Sequence, residues 1–290
     1  MRSGSISATV WTEDDPMDDV VMVACGGGAF RIVDCAGSRI TIPKVIINSN
    51  ENSVIPLVPE GVRGCFGDTH LAETLLEDNI GSLSDFFKGR RIAIIFTVLG
   101  GGTGNGMMPT IIQCARSSGC SVVSLVGIPM SFEKDRRDRA LELLPGLVEL
   151  SDRMFVMDLE ILNRLFPRIK FRNGLEVHAR TVAFALENMY RLMNGPFFST
   201  FSQRIYTFAY ASDLDPLTAV TKAMESPMVE TDPSEGKLIL FVSSGFGTAE
   251  EESIIQDVVS ISGILPEIIR REDLEDTKLL MFLSVKDPGH

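Results

Sequence analysis

Residues 100–106, Gly-Gly-Gly-Thr-Gly-Asn-Gly, decide the fold of this chain. They follow residues 92–99, an apolar and β-branched run that predicts a strand buried on both faces. Apolar residues at helical spacing come next, up to Ala115. The glycines are therefore predicted to form a strand-to-helix turn, where backbone N–H groups and the positive helix end can approach an anion. This turn is a candidate phosphate-binding loop, although such turns also occur without a ligand.

Strands and helices alternate along the first 160 residues. Helices are predicted between most of these strands, including one over residues 70–87. The alternation predicts a parallel α/β sheet with ligands at the carboxyl ends of the strands. The predicted strands cover residues 19–24, 44–48, 54–58, 92–99, 121–128 and 154–157.

A long helix is predicted over residues 173–193, and it is apolar on nearly all faces, which indicates burial. Beyond it, strands are predicted at 204–211, 237–243, 264–270 and 278–286, with helices at 215–226 and 248–261. We therefore predict three parts. These are an α/β domain over residues 1–172, a connecting helix over 173–195 and a C-terminal α+β domain over 196–290.

Composition excludes several classes of function. The net charge of −12 argues against binding to nucleic acids and to anionic membrane surfaces. No apolar run reaches the roughly 20 residues that span a bilayer. The five cysteines form no CxxC pair and indicate reduced thiols in the cytoplasm. The three histidines have no paired spacing, so no metal site built from protein side chains is predicted.

The glycine stretch resembles the signature loop of the tubulin/FtsZ superfamily, which reads GGGTG, then Ser, Thr or Asn, then Gly. It differs from the Rossmann fingerprint and from the Walker loop, which ends in Gly-Lys-Ser/Thr. Further family motifs follow in the right order over nearly the whole chain. Residues 25–28 resemble the first glycine loop, 48–50 the Asn-Thr-Asp motif, 64–69 the γ-phosphate-sensing loop and 129–134 the Pro-Phe-Asn-Phe-Glu-Gly segment.

The resemblance implies a site for GTP or GDP, with Mg²⁺ possible through the nucleotide. Glu133 would hold the ribose hydroxyls and Arg137 would lie near the phosphates. Valine at Gly102 or Gly104 should then abolish nucleotide binding in a folded protein. The implied nucleotide-binding residues are Cys25, Gly26, Gly27, Gly28, Asn48, Gly64, Gly67, Asp68, Thr69, Gly100, Gly101, Gly102, Thr103, Gly104, Asn105, Glu133 and Arg137.

Three of these residues also have a purely structural interpretation. Glu133 and Arg137 are four residues apart and could form a surface ion pair on a helix, worth a few tenths of a kcal/mol. Asp68 could cap the helix that starts near His70. A carboxylate facing a γ-phosphate would repel it, so the preferred nucleotide state could differ from that of the family.

Base recognition departs from the family pattern. FtsZ presents an Asn after the first glycine loop, and a Phe, an Asn and an Asp along the buried helix. Guanine is therefore implied by the resemblance and not by these residues. At the matching positions this chain has Phe30, Leu175, Ala179 and Arg180, and Asn163 or Asn173 could substitute.

The region that matches the family's catalytic loop also departs from the family pattern. FtsZ and tubulins hydrolyse GTP when an acidic loop after the buried helix enters the pocket of the next subunit. Residues 188–212 contain no Asp or Glu. We therefore predict weak or absent hydrolysis, with Gln203 as a weak candidate for orienting a water. The chain also ends soon after its last predicted strand, so we expect no counterpart of the C-terminal peptide that engages membrane anchors.

These observations predict a divergent FtsZ-like protein with a tubulin/FtsZ-type parallel sheet, a long central helix and a second α+β domain. Its expected function is guanine-nucleotide binding coupled to self-assembly or to binding of another FtsZ-like subunit. The first alternative is an active, filament-forming GTPase in cell division or membrane remodelling. A Rossmann-type dinucleotide enzyme is a minor alternative, since it needs an acidic residue where Asn48 stands.

Overall fold

The strands and helices below come from a computed structural model. It describes residues 19–37, 40, 42–48, 65, 68–77, 79–161, 163, 179, 182–186, 205–229, 237–243, 248–271 and 277–284. The strands are β1 (Val20–Cys25), β2 (Lys44–Ile47), β3 (Ile92–Val98), β4 (Ser121–Ile128), β5 (Arg153–Asp158), β6 (Ile205–Asp213), β7 (Lys237–Ser243), β8 (Glu267–Arg271) and β9 (Thr277–Ser284). The helices are α1 (Gly26–Ala36), α2 (Thr69–Glu77), α3 (Ile80–Phe87), α4 (Gly102–Ser117), α5 (Lys134–Leu150), α6 (Pro216–Met224) and α7 (Thr248–Ser262).

The described residues divide into two compact units, which meet in sequence at Tyr206 and Thr207. In the first unit the strand order is β2-β1-β3-β4-β5, and the first two residues of β6 pair with β5. All five pairings are parallel. Every residue of β1 is buried, as expected for a strand covered on both faces. The predicted parallel α/β sheet is confirmed.

The glycine turn after β3 is shorter than predicted. Only Leu99 to Gly101 lie between strand and helix, and α4 already begins at Gly102. Gly100 has a φ of +82°, a conformation that glycine adopts without steric cost. Thr103 and Asn105 therefore belong to the first turns of α4, because the one glycine with positive φ is enough to reverse the chain.

The helix predicted over residues 70–87 is two helices. α2 ends at Glu77 and α3 begins at Ile80. The break lies at Asn79, whose side-chain amide donates to the carbonyl of Leu75 at 3.0 Å. Asn side chains compete with the helical backbone for such carbonyls. The helix therefore ends here, although the apolar periodicity of the sequence continues past the break.

The second unit contains the rest of β6 and β9, β7 and β8, in that order. β7 pairs parallel with β8 and antiparallel with β9. Helices α6 and α7 contribute Ala219, Val220 and Val258 to its buried core. β6 extends to Asp213, two residues beyond the predicted end of the strand, so the expectation that Asp213 lies outside the strand is wrong.

Parts of the sequence interpretation lie outside the described residues. These are the short strand at 54–58 and both predicted domain boundaries, so the three-part division stays a prediction. Of the predicted helix 173–193, Ala179 and residues 182–186 are described, and they are helical and buried. Among the described residues, no helix is long and apolar enough to cross a bilayer.

Candidate functional site

Two helices begin side by side at the carboxyl edge of the sheet. β1 and β3 are parallel neighbours, α1 starts directly after β1, and three residues separate the end of β3 from the start of α4. The Thr97 hydroxyl donates to the carbonyl of Cys25 at 2.8 Å and so joins the ends of the two strands. A Cβ built on Gly26 would lie 3.6 Å from the backbone nitrogen of Gly104. The two helix starts therefore lie close together.

Neither helix start is capped by its own N-cap side chain. Cys25 precedes α1 and Gly101 precedes α4, and neither makes a side-chain capping hydrogen bond. The first N–H groups of an α-helix have no carbonyl partner within the helix, and they carry the positive end of its dipole. Two such ends placed together form a candidate anion-binding surface, of the kind that could hold nucleotide phosphates.

The glycines around these starts serve two different purposes. A Cβ on Gly28 would lie 2.7 Å from Val98, and one on Gly104 would lie 2.5 Å from the Thr97 hydroxyl. These two glycines allow the helices to pack against β3. By contrast, a Cβ on Gly27 or Gly101 would have no atom of the described residues within 4 Å, apart from the neighbouring backbone of its own turn.

The expectation that a Gly104→Val variant stays folded needs correction for this reason. Valine at Gly104 would overlap Thr97, and overpacking of this kind costs about 1–3 kcal/mol. Loss of binding in that variant would not separate ligand contact from unfolding. Gly27 and Gly101 offer open space where a side chain can be added without that overlap.

Thr103 lies between two buried thiols beneath the helix starts. The Cys25 thiol donates to the Thr103 carbonyl at 3.7 Å, and the Cys65 thiol hydrogen bonds with the Thr103 side chain. Burial raises the pKa of Cys25 to about 12, and the neighbouring Cys65 adds to that rise. Burial also raises the pKa of Cys65. Both thiols are therefore neutral at pH 7, and they put no negative charge beside the anion-binding surface.

Two other predicted residues flank this surface. Asn48 is buried and follows β2, the strand beside β1. Asp68 accepts from the backbone N–H of Leu71 at 3.0 Å and caps α2, which begins at Thr69. The alternative interpretation of Asp68 as a helix cap is thereby confirmed. Gly64 and Gly67 lie outside the described residues.

The expected surface ion pair between Glu133, which precedes α5, and Arg137, which lies on α5, does not form. Glu133 pairs with Arg136 and not with Arg137. Arg137 donates to both carboxylate oxygens of Asp158, at 2.8 and 2.6 Å, and to the carbonyl of Pro129 at 2.6 Å. The hydrogen bond with Asp158 raises the pKa of Arg137, so its charge is permanent. The expected phosphate contact of Arg137 stays a prediction, while its observed contacts join the β4–α5 segment to β5.

Sequence reasoning missed two acidic residues that shape this segment. Asp158 ends β5, and Glu160 follows it. Glu160 accepts from the Asn163 side chain at 2.8 Å and from the Ser131 N–H at 2.6 Å, and these bonds lower the pKa of Glu160. Their position at the carboxyl end of a parallel strand was the signal that could have identified them.

The residues considered for base recognition are not brought together in the described part of the chain. Phe30 is partly buried on α1, and Ala179 is buried. Asn163 uses its side-chain amide on Glu160. Asn173, Leu175, Arg180 and the catalytic candidate Gln203 lie outside the described residues. The described residues also include no cluster of side chains that could hold a metal ion.

Comparisons with known proteins find similarity to the tubulin/FtsZ family. A model of the GTPase domain of the tubulin/FtsZ family matches residues 38–167. Cell division protein FtsZ 1 of Pyrococcus woesei is 26% identical over 211 residues, which are 67% of this chain and 58% of that protein. FtsZ of Helicobacter pylori strain J99 is 32% identical over 152 residues, 48% of this chain and 40% of that protein. FtsZ 1 of Pyrococcus furiosus is 29% identical over 134 residues, 46% of this chain and 36% of that protein. The chain thus spans between about a third and three fifths of the length of these relatives.

Solved structures share the fold at low sequence identity. An empty FtsZ dimer from M. jannaschii has a TM-score of 0.79 and 18% identity, with 92% of this chain and 88% of that chain covered. A GTPγS-bound protofilament of CetZ2 from Haloferax volcanii has a TM-score of 0.68 and 14% identity, with 93% and 94% covered. The sheet and its paired glycine-led helix starts therefore define a protein of the tubulin/FtsZ fold. In sequence, the chain is similar to FtsZ proteins over up to 67% of its length.

Proposed function

We propose that this protein binds a guanine nucleotide and couples its nucleotide state to self-assembly or to binding of another FtsZ-like subunit. The observation that carries the proposal is the pair of adjacent helix starts, α1 and α4, neither of which has a side-chain cap. The nucleotide phosphates would lie on these N–H groups, against Gly27 and Gly101, where space is open. Any Mg²⁺ would be held largely by the phosphates.

Guanine and assembly are proposed by analogy with the relatives. Several relatives carry the name cell division protein FtsZ, and the CetZ2 structure is a GTPγS-bound protofilament. In this proposal the protein hydrolyses GTP weakly or not at all, because residues 188–212 contain no acidic residue. An active filament-forming GTPase is the second candidate, and it would need a catalytic group from a partner subunit.

Titration of the purified protein with GTP, GDP, ATP and NAD tests the proposal. We expect GTP and GDP to bind, ATP to bind more weakly and NAD not to bind. A preference for ATP would refute the guanine assignment and retain the phosphate site. A preference for NAD would favour the dinucleotide enzyme instead, while absence of binding by all four ligands would overturn the proposal.

Glu133 provides a test of how the ribose of the nucleotide is bound. If its carboxylate binds the ribose, Glu133→Ala should weaken GTP binding by about 1.5–3 kcal/mol, the usual contribution of a hydrogen bond to a charged group. If Glu133 only pairs with Arg136, which is 44% exposed, the loss should be close to zero. Calorimetric titration of the wild type and of Glu133→Ala, each with GTP and with 2′,3′-dideoxy-GTP, distinguishes the ribose contact from the ion pair.

The dideoxy analogue should bind the wild type more weakly than GTP, whereas Glu133→Ala should bind both ligands equally. Glu142→Ala is the matched control, because it removes an exposed carboxylate from α5, the helix that Glu133 precedes. A Glu133→Ala variant that still discriminates the two ligands would show that another group binds the ribose.

A further inference from the structure

Side chains hold both polar backbone groups of Gly100, which belong to the two peptide units that flank its Cα. Its N–H donates to the Asn105 side-chain oxygen at 2.6 Å, and its C=O accepts from Nη2 of Arg139 at 3.1 Å. The Asn105 amide also donates to the backbone carbonyl of Arg139 at 3.4 Å, which closes a ring of hydrogen bonds. Asn105 belongs to α4 and is buried, whereas Arg139 belongs to α5 and is exposed. The ring therefore links the glycine turn to α5.

The orientation of the Gly100–Gly101 peptide determines where the N–H of Gly101 points. In a trans peptide the C=O of one residue and the N–H of the following residue point in opposite directions, and the described residues contain no cis peptide. Because the Gly100 carbonyl points at Arg139, the Gly101 N–H is directed away from Arg139. Gly101 is partly exposed and borders the open space at the start of α4.

Glycine alone would not fix that orientation. Gly100 has a φ of +82° and Gly101 has no side chain, so this turn has more backbone freedom than any other pair of residues would allow. Flexible turns pay an ordering cost when they bind, and fixing the bound conformation in advance removes that cost. Hydrogen bonds to the N–H and to the C=O of Gly100 supply that restraint.

We propose that Arg139 and Asn105 are positioning residues, which hold the backbone on both sides of the Gly100 Cα so that the Gly101 N–H faces the nucleotide phosphates. Neither needs to touch the nucleotide for this effect. This role differs from the direct nucleotide contact that the resemblance implies for Asn105, since both ends of its side-chain amide are already hydrogen bonded within the protein. The inference rests on the proposed nucleotide binding.

A double-mutant cycle in the full chain tests it, with affinities for GTP and GDP measured for Arg139→Met, Asn105→Ala and the double variant. Each single variant should bind both nucleotides about tenfold more weakly, the equivalent of one lost hydrogen bond. Because both residues restrain the same backbone conformation, that of Gly100, the double variant should lose little more than the weaker-binding single variant, and not about a hundredfold. Arg91→Met is the matched control, since it removes one positive charge from the amino end of β3 and should bind as the wild type does.

Two further measurements separate positioning from other roles. A direct charge–phosphate attraction by Arg139 would shrink as salt rises from about 0.05 to 0.5 M, whereas loss of positioning should persist. The melting temperature of nucleotide-free Arg139→Met should match the wild type, because its side chain is exposed. If Asn105→Ala unfolds, Arg139→Lys is tested in its place, because lysine keeps a donor for the Gly100 carbonyl. The proposal requires Arg139→Lys to bind nucleotide with an affinity closer to that of the wild type than Arg139→Met does.

The outcomes are distinguishable from failure of the proposed function. If the wild type binds no nucleotide, both proposals fall. If the wild type binds and Arg139→Met binds within twofold of it, only the positioning role falls. Independent, multiplying losses in the double variant, or a loss that disappears at high salt, would also overturn positioning in favour of direct contact.

Discussion

Replacing Gly101 with valine should remove nucleotide binding and leave the protein folded. Gly101 has a φ of −92° and a ψ of 160°, an extended conformation that β-branched residues adopt readily. Apart from its chain neighbours, a Cβ there would meet no atom of the described residues within 4 Å, so the side chain would enter the space proposed for the phosphates. We expect an affinity loss of roughly a hundredfold or more, equivalent to about 3 kcal/mol, because valine would block the close approach of backbone to phosphate. Gly27→Val should have the same effect from the α1 side.

Gly81→Val is the control for these variants. Gly81 lies on α3, is exposed and also has no atom within 4 Å of a built Cβ. Calorimetry should give wild-type affinity for this control, and thermal melts should show all three variants folded. Wild-type affinity in folded Gly101→Val and Gly27→Val would remove the phosphate assignment from this surface.

The purified protein should bind GTP and leave it largely intact, even at concentrations that favour self-association. Attack on the γ-phosphate needs a polar group that orients the water, and losing one such group typically costs about 10²–10³ in rate. The first acids after Glu187 are Asp213 and Asp215. Asp213 pairs with Lys222 at 2.6 Å, and Asp215 caps α6 by accepting from the Thr218 N–H at 2.9 Å. Both acids therefore have structural partners.

Phosphate release measured over a series of protein concentrations checks this prediction. A rate per subunit that rises steeply with concentration would contradict it, since that behaviour indicates a site completed by a neighbouring subunit. Any slow residual rate should fall in Gln203→Ala, because Gln203 is the one candidate for orienting a water that the sequence suggests. Rapid turnover only after addition of an acidic-loop FtsZ would support the alternative of a catalytic partner subunit.

Contacts between distant residues explain most of what the sequence did not predict at the site. Arg137 was expected near the phosphates because of its place after Glu133. That contact stays a prediction, while the pairing of Arg137 with Asp158, 21 residues further along the chain, was not predicted. Arg139 and Gly100 are 39 residues apart, and no local pattern relates them. The Asn79 break between α2 and α3 shows the same limit on a smaller scale, because apolar periodicity does not report a competing side-chain hydrogen bond.

The sequence by itself determined the parallel sheet, the glycine-led starts of α1 and α4 and the FtsZ-like family. These features depend on local order, since apolar runs, glycines and their spacing act through neighbouring residues. Only the tertiary structure decided which glycines serve packing and which border open space. Gly104 and Gly101 are equivalent in the motif, yet Thr97 lies against one and no atom lies against the other. That difference arises because β3 passes beneath α4, a relation in space that the order of residues does not encode.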